Sequence, residues 1–515
     1  MSKNKTKRKS IFRIVFGRTA IIALLLVIQI GILILSFKWL AGYMTYIYGG
    51  FTLLTAILVI YIINKEGNPT YKLAWMIPIL IFPVFGALFY LFVQLQIGTR
   101  LINLRLGNNI KKTKKFLKQN KDLMEEIKED DKKVANLVNY MNEYGGYPIY
   151  KNTSVKYFPL GEYKFEEIKK QLEKAKRFIF LEYFIVEEGL MWDSILEILE
   201  RKVKEGVEVR FMYDGTCSLI LLPYNYPKKM EKMGIKCKIF SPIKPALSTY
   251  QNNRDHRKIL VIDGNVAFTG GINLADEYIN KKVVYGHWKD IGIMIKGEAV
   301  KSLTLMFLQV WNITSKEEED YGKYISNAKE EEAEGYVMPY GDSPVDNENV
   351  GELVYMDIIN TAKDYIHIMT PYLILDNEMM TSLKYAAKSG VDVKLILPHI
   401  PDKWYAYLLA RTYYKELIEA GVSIYEYTPG FVHAKAFVSD DKKAVVGTIN
   451  LDYRSLYLHF ECAVFTYKTT LAYDVEKDFQ ETLKKCEKIT IENCKKFSIF
   501  KRIIGQILRL FAPLM

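Results

Sequence analysis

The sequence has little of what would staple it or do its chemistry by the commoner routes. Its 515 residues include five cysteines, Cys217, Cys237, Cys462, Cys486 and Cys494. They form no CxxC pair and leave one over in any pairing, which argues against a disulfide scaffold or a structural zinc site and fits a reducing compartment. There is no HExxH, no phosphate-binding GxxxxGK[ST] loop and no aspartate cluster with metal-ligand spacing, so no metal or nucleotide cofactor is implied. Histidines number six, and the first 18 positions hold no acid. What is present excludes other classes. A 50% hydrophobic fraction rules out a disordered chain, and the length allows about two to four domains. A net charge of +12, from 71 Lys+Arg against 59 Asp+Glu, points to nucleic acid, anionic lipid or another phosphate-bearing partner.

The position of the charge decides among these. Lys3, Lys5, Lys7, Arg8, Lys9, Arg13 and Arg18 place +7 in residues 1–18, a basic cytoplasmic tail. Uncharged apolar runs follow at 19–37, 39–64 and 73–99. At about 1.5 Å per helical residue, each can cross a hydrocarbon layer of about 30 Å. Three long runs exclude a cleaved signal peptide and predict a multi-pass protein of the cell membrane. Arg100, Arg105, Lys111, Lys112, Lys114 and Lys115 form a second basic cluster beyond the third run. Basic clusters at both ends call for an even number of crossings. Either the third run, with Pro78, Pro83 and Gly86, is kinked or re-entrant, or the turn around Lys38 joins two shallow segments. Two full spans plus one partial span is the reading adopted.

Residues 100–147 predict a charged linker helix with Leu123, Ile127, Val134, Leu137, Val138 and Met141 near helical spacing. From about 148 the texture changes to short β-rich runs alternating with amphipathic helices, as at 178–186, 192–206 and 207–213. The pattern recurs at 365–375, 379–389 and 391–398, predicting an α/β fold in two halves, 148–325 and 326–488. The halves share a motif. Counting from His256 and from His433, Lys stands at +2 (Lys258, Lys435), Asp at +7 (Asp263, Asp440), Gly at +14, Asn at +17 (Asn273, Asn450) and Leu at +18. Two copies agreeing at five offsets are a true internal repeat.

The spacing carries chemistry. In a strand, residues i and i+2 share a face, so each His projects beside its Lys, while the Asp heads a turn that it can hold through backbone hydrogen bonds. A returning strand brings the Asn back beside the pair. Two halves face to face then make one pocket of two imidazoles, two ammoniums and two amides. Lysine and asparagine can grip a phosphoryl group. One histidine can attack phosphorus while the other protonates the leaving alkoxide and deprotonates the incoming alcohol, with no metal required.

This duplicated frame resembles the phospholipase D superfamily, and the chain as a whole resembles its bacterial cardiolipin synthase branch. Supporting stretches include Leu181–Tyr183, Asp255–Lys258, His287–Asp290, Thr370–Tyr372, Gly390–Val393 and Asp452–Ser455, with Ala74, Trp75, Pro83 and Gly86 in the apolar region. The resemblance implies two pseudo-symmetric halves, each a mixed sheet flanked by helices, with one interfacial active site. It implies His256, Lys258, Asp263, His433, Lys435 and Asp440 as catalytic-motif residues, His256 as nucleophile, His433 as general acid and base, and Asn273 and Asn450 as phosphate binders. It implies a carboxylate downstream of each motif that orients the imidazoles, for which Glu461 and Asp290 stand as candidates. His459 departs from the pattern, which implies an asparagine there. The activity implied is phosphatidyl transfer between two phosphatidylglycerol molecules, with anionic membrane lipid as the partner and no nucleic acid. A hydrolase, a transferase with another alcohol acceptor and a membrane-tethered nuclease are rival readings on the same motifs.

Three histidines stand outside the motifs. His287 allows a packing role or a substrate contact, whereas His367 and His399 read as structural. At 489–515, Phe500, Ile503, Ile504, Ile507, Leu508 and Phe511 share a helical face opposite Arg502, Gln506 and Arg509. This basic amphipathic helix suits either an anionic lipid surface or packing on the catalytic region.

Overall fold

Alternation along Phe178–Tyr183 sends Phe178 and Phe180 into one core and Ile179, Leu181 and Tyr183 into another. A strand buried on both faces must lie inside a sheet covered on both sides. In the structure, a computed structural model, this strand is inside a seven-stranded sheet. Residues 31, 34, 44–94, 97–217, 221–223, 225–242, 253–315, 318–325, 331–346 and 348–514 are described. From edge to edge the sheet runs Thr153–Phe158, Gly292–Gly297, Val266–Gly270, Ile259–Ile262, Phe178–Tyr183, Glu208–Asp214 and Lys236–Phe240. The last three strands are parallel and the others pair antiparallel.

The second half repeats this order. Tyr336–Asp342, Glu461–Tyr467, Lys443–Gly447 and Ala436–Ser439 are antiparallel, and Tyr365–Met369, Asp392–Pro398 and Ser423–Tyr427 are parallel. An additional edge strand, Cys486–Ile489, closes it. Helix Val300–Trp311, buried at every position but Lys301, is covered almost all round and packs against strands of both sheets, joining them in one core. Mixed sheets flanked by helices in two related halves are thus the architecture of the catalytic region.

Residues 100–147 depart from a single linker helix. Three helices, Ile97–Lys114, Lys121–Asp130 and Lys132–Glu143, occupy the region. Asn120 caps the second through the amides of Asp122 and Leu123, and Asp131 caps the third through Lys133 and Val134. Cap residues interrupt the helical run because their side chains compete for backbone donors. All six apolar positions named for this region are buried in the shared core, so the segment is part of the folded body.

The basic tail and most of the apolar run 19–37 lie outside the described residues. Within 39–64 the described helix is Met44–Asn64. The run 73–99 is divided between helices: Pro69–Ile81 ends before Pro83, and Pro83–Gln94 folds back on it. Trp75 meets Tyr90 at 5.3 Å between rings, and a Cβ at Gly86 would lie 2.5 Å from the carbonyl oxygen of Pro78. Side chains 44–49 and 51 lie outside the described residues; over those described, no helix is long and apolar enough to cross a membrane. The hairpin is tied to the second half by Asn68, whose amide donates to Asp376 and Tyr457, each at 2.9 Å.

Helix Ile499–Phe511 seats Gly505 against helix Trp404–Glu419, where a Cβ would come within 2.7 Å of the Leu408 carbonyl oxygen. Phe500, Ile503, Ile504, Ile507 and Phe511 point away and are exposed. One side of the helix packs and the apolar side stays open.

Candidate active site

The segments carrying the motifs interlock across the two halves. Strands Gly430–Val432 and His287–Lys289 pair in parallel, with Val432 opposite Lys289, and the His433 amide donates to the Lys289 carbonyl at 2.7 Å. On the other side Asp255 bridges Phe460, and the His256 amide donates to the Phe460 carbonyl at 2.9 Å. Each register places one half's histidine beside the other half's acid. His256 Nδ1 lies 2.8 and 2.9 Å from the two oxygens of Glu461, and His433 Nδ1 lies 2.6 Å from Asp290 Oδ2. The two carboxylates are therefore exchanged between halves.

Local sequence accommodates two acids of different length. Asp290 is approached so closely by Gly271 that a Cβ there would lie 2.1 Å from Oδ1, and that oxygen also accepts from the Ile291 amide at 2.8 Å. Thr448 occupies the equivalent place in the second half, and its hydroxyl donates to Glu461. With Nδ1–H given to a carboxylate, each imidazole keeps Nε2 as its free lone pair.

Both lysines are fully buried, and each ammonium donates to the carbonyl of its own motif histidine, Lys258 at 2.5 Å. The His–Lys pairs lie in the extended lead-in to strands Ile259–Ile262 and Ala436–Ser439, one step before the ladder that the spacing predicts. Burial lowers Lys258 to about 8 against the pull of Glu461 and Asp290. It lowers Lys435 to about 7, against Asp290 and with Lys258 adding to the depression. Burial also holds His256 well below 6.5, opposed by Glu461, and His433 at about 4, with Lys435 reinforcing and Asp290 opposing. Glu461 resists its own burial because His256 and His459 hold it well below the usual carboxylate range. The free site therefore holds neutral imidazoles and an anionic Glu461. Asn273 accepts from the Ile185 amide and donates to Tyr278, which leaves it committed to scaffold contacts, whereas Asn450 Oδ1 is buried without a partner.

The motif aspartates head their turns as the spacing predicts. Asp263 accepts the amides of Lys176, Arg177 and Phe178 at 2.7–2.9 Å, and Asp440 those of Lys363, Asp364 and Tyr365 at 2.9–3.0 Å. Each sits at positive φ and ties its hairpin to the start of the neighbouring parallel strand, away from the imidazoles. Their described contacts are with the scaffold. Asp263→Ala is expected to destabilise the fold by about 1.5–3 kcal/mol while the folded enzyme keeps its kcat within a few-fold. Denaturant midpoints beside single-turnover rates check this; a 10³-fold kinetic loss at unchanged stability would return Asp263 to the chemistry.

His287 packs in the cross-half ladder with Nδ1 3.1 Å from the Tyr427 hydroxyl. His367 pairs with Glu476 at 2.8 Å and stacks on Phe479, and His399 lies 3.2 Å from Glu426. Several residues at the site carry no motif signal. Phe184 stands edge-on to His256 at 4.9 Å and beneath Lys258, and Tyr278 and Trp288 flank His433 at 5.5 and 5.6 Å. Aromatics are so common in this chain that these could not be singled out. Lys164, fully buried and lowered to about 7 by burial, donates to the Thr269 carbonyl. His459 lies 5.5 Å ring to ring from His256, and His256, His459 and Glu461 form a group of donors close enough to hold a metal ion.

A pair of mixed-sheet halves meeting at two buried His–Lys pairs, each imidazole backed by a carboxylate, defines a phospholipase D-type protein. The family model described as "Cardiolipin synthase, PLD-like domain" matches residues 168–311 and 355–483, and one described as "Phospholipase_D-nuclease N-terminal" matches 53–94. The chain belongs to the cardiolipin synthase family. A cardiolipin synthase of Halalkalibacterium halodurans is 33% identical, covering 97% of this chain and 100% of the relative. An uncharacterized protein of Streptococcus mutans serotype c is 53% identical, covering 89% and 99%. Among solved structures, phosphatidylserine synthase of Haemophilus influenzae has the same fold, with a TM-score of 0.53 at 14% identity over 70% of this chain and 93% of that one.

Proposed function

We propose that this protein is a membrane-anchored phosphatidyltransferase that makes cardiolipin and glycerol from two molecules of phosphatidylglycerol. The observation that carries the reading is the pair of buried His–carboxylate contacts, 2.8 and 2.6 Å, set beside two lysines in one site. Neutral His256 attacks phosphorus through Nε2. The P–O bond to glycerol breaks, and His433 gives its proton to the departing oxygen. His433 then takes the proton of the second lipid's headgroup hydroxyl, whose oxygen displaces His256 from phosphorus. One phosphodiester is exchanged for another, so the step balances without a further reactant. The anionic phosphodiester joins Asp290 in favouring the His433 imidazolium, opposing the burial that keeps the free ring neutral. Lys258, Lys435 and Asn450 are proposed to hold the non-reacting oxygens, with Asn273 positioning from behind.

Membrane anchoring is part of the proposal, as a multi-pass protein with the basic tail and 100–115 on the cytoplasmic side. Its support is the exposed apolar surface of helix Met44–Asn64, at Leu53, Ile57 and Ile60, and of the helical hairpin, at Leu80, Ile81 and Phe82, together with the open face of helix Ile499–Phe511, which touches helix Pro69–Ile81. A bilayer covers such a surface and supplies both lipids at high local concentration.

The test is incubation of the reconstituted protein with labelled phosphatidylglycerol as sole lipid substrate. Cardiolipin and glycerol in equal amounts are expected. Phosphatidic acid as the main product, or inert lipid with cleaved DNA, overturns the reading. In the same assay kcat/KM is expected to trace a bell. Its acid limb lies below pH 6.5, because the nucleophile must be neutral and His256 is already lowered. It declines as pH rises because His433, held at about 4 in the free site, must be protonated to act as the acid, and it drops more steeply above pH 7–8 as Lys435 and Lys258 lose their charge. No steepening up to pH 9 overturns the assigned role of the lysines.

A further inference from the structure

We propose that His459, His256 and Glu461 form a site for one zinc-class divalent cation, and that filling it switches phosphatidyl transfer off. The ligand atoms of these three residues all lie within 4.8 Å of one another, and all three side chains are buried. His459 is 8% exposed, yet neither ring nitrogen has a hydrogen-bond partner; its Nδ1 stops 3.7 Å from Glu461 Oε1, beyond hydrogen-bond reach. A buried imidazole with both nitrogens idle beside a carboxylate is a costly arrangement that a cation resolves.

The donor set selects the ion. Two ring nitrogens and one carboxylate suit zinc and are poor for magnesium or calcium, which take oxygen ligands. Zinc bonds of about 2.0–2.2 Å imply donor–donor edges of about 3.3–3.5 Å. Here His256 Nδ1 is 2.8 Å from Glu461 Oε1 and His459 Nδ1 is 3.7 Å from the same oxygen. Small shifts of the two rings, one outward and one inward, reach that geometry, leaving a fourth position for water or a lipid phosphate oxygen. The asparagine that the resemblance implies at 459 would offer only a weak amide ligand, so His459 is the residue that completes the donor set.

Ligation through Nδ1 requires the tautomer with its proton on Nε2, so the proton that His256 gives to Glu461 passes by way of solvent to Nε2. The cation takes its place beside the carboxylate, and Nε2, now an N–H, has no lone pair with which to attack phosphorus. The inhibition rests on the histidine roles proposed above; the binding does not. The experiment uses the full chain in nanodiscs, free of any affinity tag, titrated with zinc chloride by calorimetry and with cobalt chloride by visible absorption. One zinc per chain, a tetrahedral cobalt spectrum and an affinity lower by about tenfold or more in both His459→Asn and His459→Gln are expected. Wild-type transfer falls in step with zinc occupancy and returns on addition of EDTA, magnesium has no such effect, and His459→Asn, measured against its own zinc-free rate, is insensitive over that range. Undiminished zinc binding in folded variants, or none in the wild type, overturns the site. Full occupancy with unchanged transfer overturns the switch. Zinc binding in a preparation that makes no cardiolipin would keep the site and count against the transferase reading.

Discussion

His256→Ala is expected to abolish both steps of transfer, lowering kcat by about 10⁴-fold or more, while His433→Ala is expected to stop the second step and spare a modified first one. The two differ because only a nucleophile is indispensable when the leaving group needs no proton. With a phosphatidyl ester of p-nitrophenol, His433→Ala should release a stoichiometric burst of nitrophenolate and then stall. Phosphatidyl-modified peptide carrying His256 should accumulate, recoverable by mass spectrometry at alkaline pH. The His256→Ala protein should give no burst. An adduct on His433, or a burst in the His256→Ala protein, exchanges the two roles, which the near two-fold symmetry of the site leaves to this measurement.

Glu461→Gln and Asp290→Asn are each expected to cost about 10³–10⁴-fold in kcat with little change in KM, since neither acid is proposed to touch lipid. Both substitutions keep side-chain volume. They replace an acceptor of Nδ1–H by a group that can equally donate, so the ring can turn its proton to Nε2, the atom that must attack or accept. Glu461 also receives the Thr448 hydroxyl, which anchors the wrong end of a glutamine amide as readily as the right one. Asp290→Asn acts on His433 and should slow transfer of the phosphatidyl group off His256 more than its attachment. Nitrophenolate bursts separate the two variants: absent or slow in Glu461→Gln, normal in amplitude in Asp290→Asn. Equal effects on both steps would contradict the crossed pairing of acids and bases.

Much of this site was legible because its chemistry recurs at fixed offsets. The His at zero, the Lys at +2 and the Gly at +14 keep their spacing in both copies, and the structure gives Gly270 at +14 a close-approach reason: a Cβ there would lie 2.6 Å from the backbone of Gly292 and Ile291. The turn-holding role of the Asp at +7 was legible, but its partners were not, because the three amides it accepts belong to the start of another strand 75–87 residues away in the chain. Nor was the crossed pairing. Spacing within one half says nothing about contacts that span 205 residues, as between His256 and Glu461, or 143, as between Asp290 and His433. The apolar positions of 123–141 were read correctly, but their burial depends on partners far away in the chain, among them helix Val350–Thr361, which packs on Lys132–Glu143. Asn120 and Asp131, polar residues in a polar stretch, hid the two breaks that divide that segment.

The exchanged acids also bear on how such a protein could have been assembled. Each half presents a histidine and a carboxylate that cannot reach one another, so each is the self-complementary unit of an isologous dimer made covalent. Separate halves would have to associate before either imidazole found its acid, and each would pay the full entropy of association. Joined end to end, they meet at an effective concentration set by the connecting chain and not by expression level. Joined in one chain, the halves need not be identical, and they differ where Gly271 stands opposite Thr448 and Asp290 opposite Glu461.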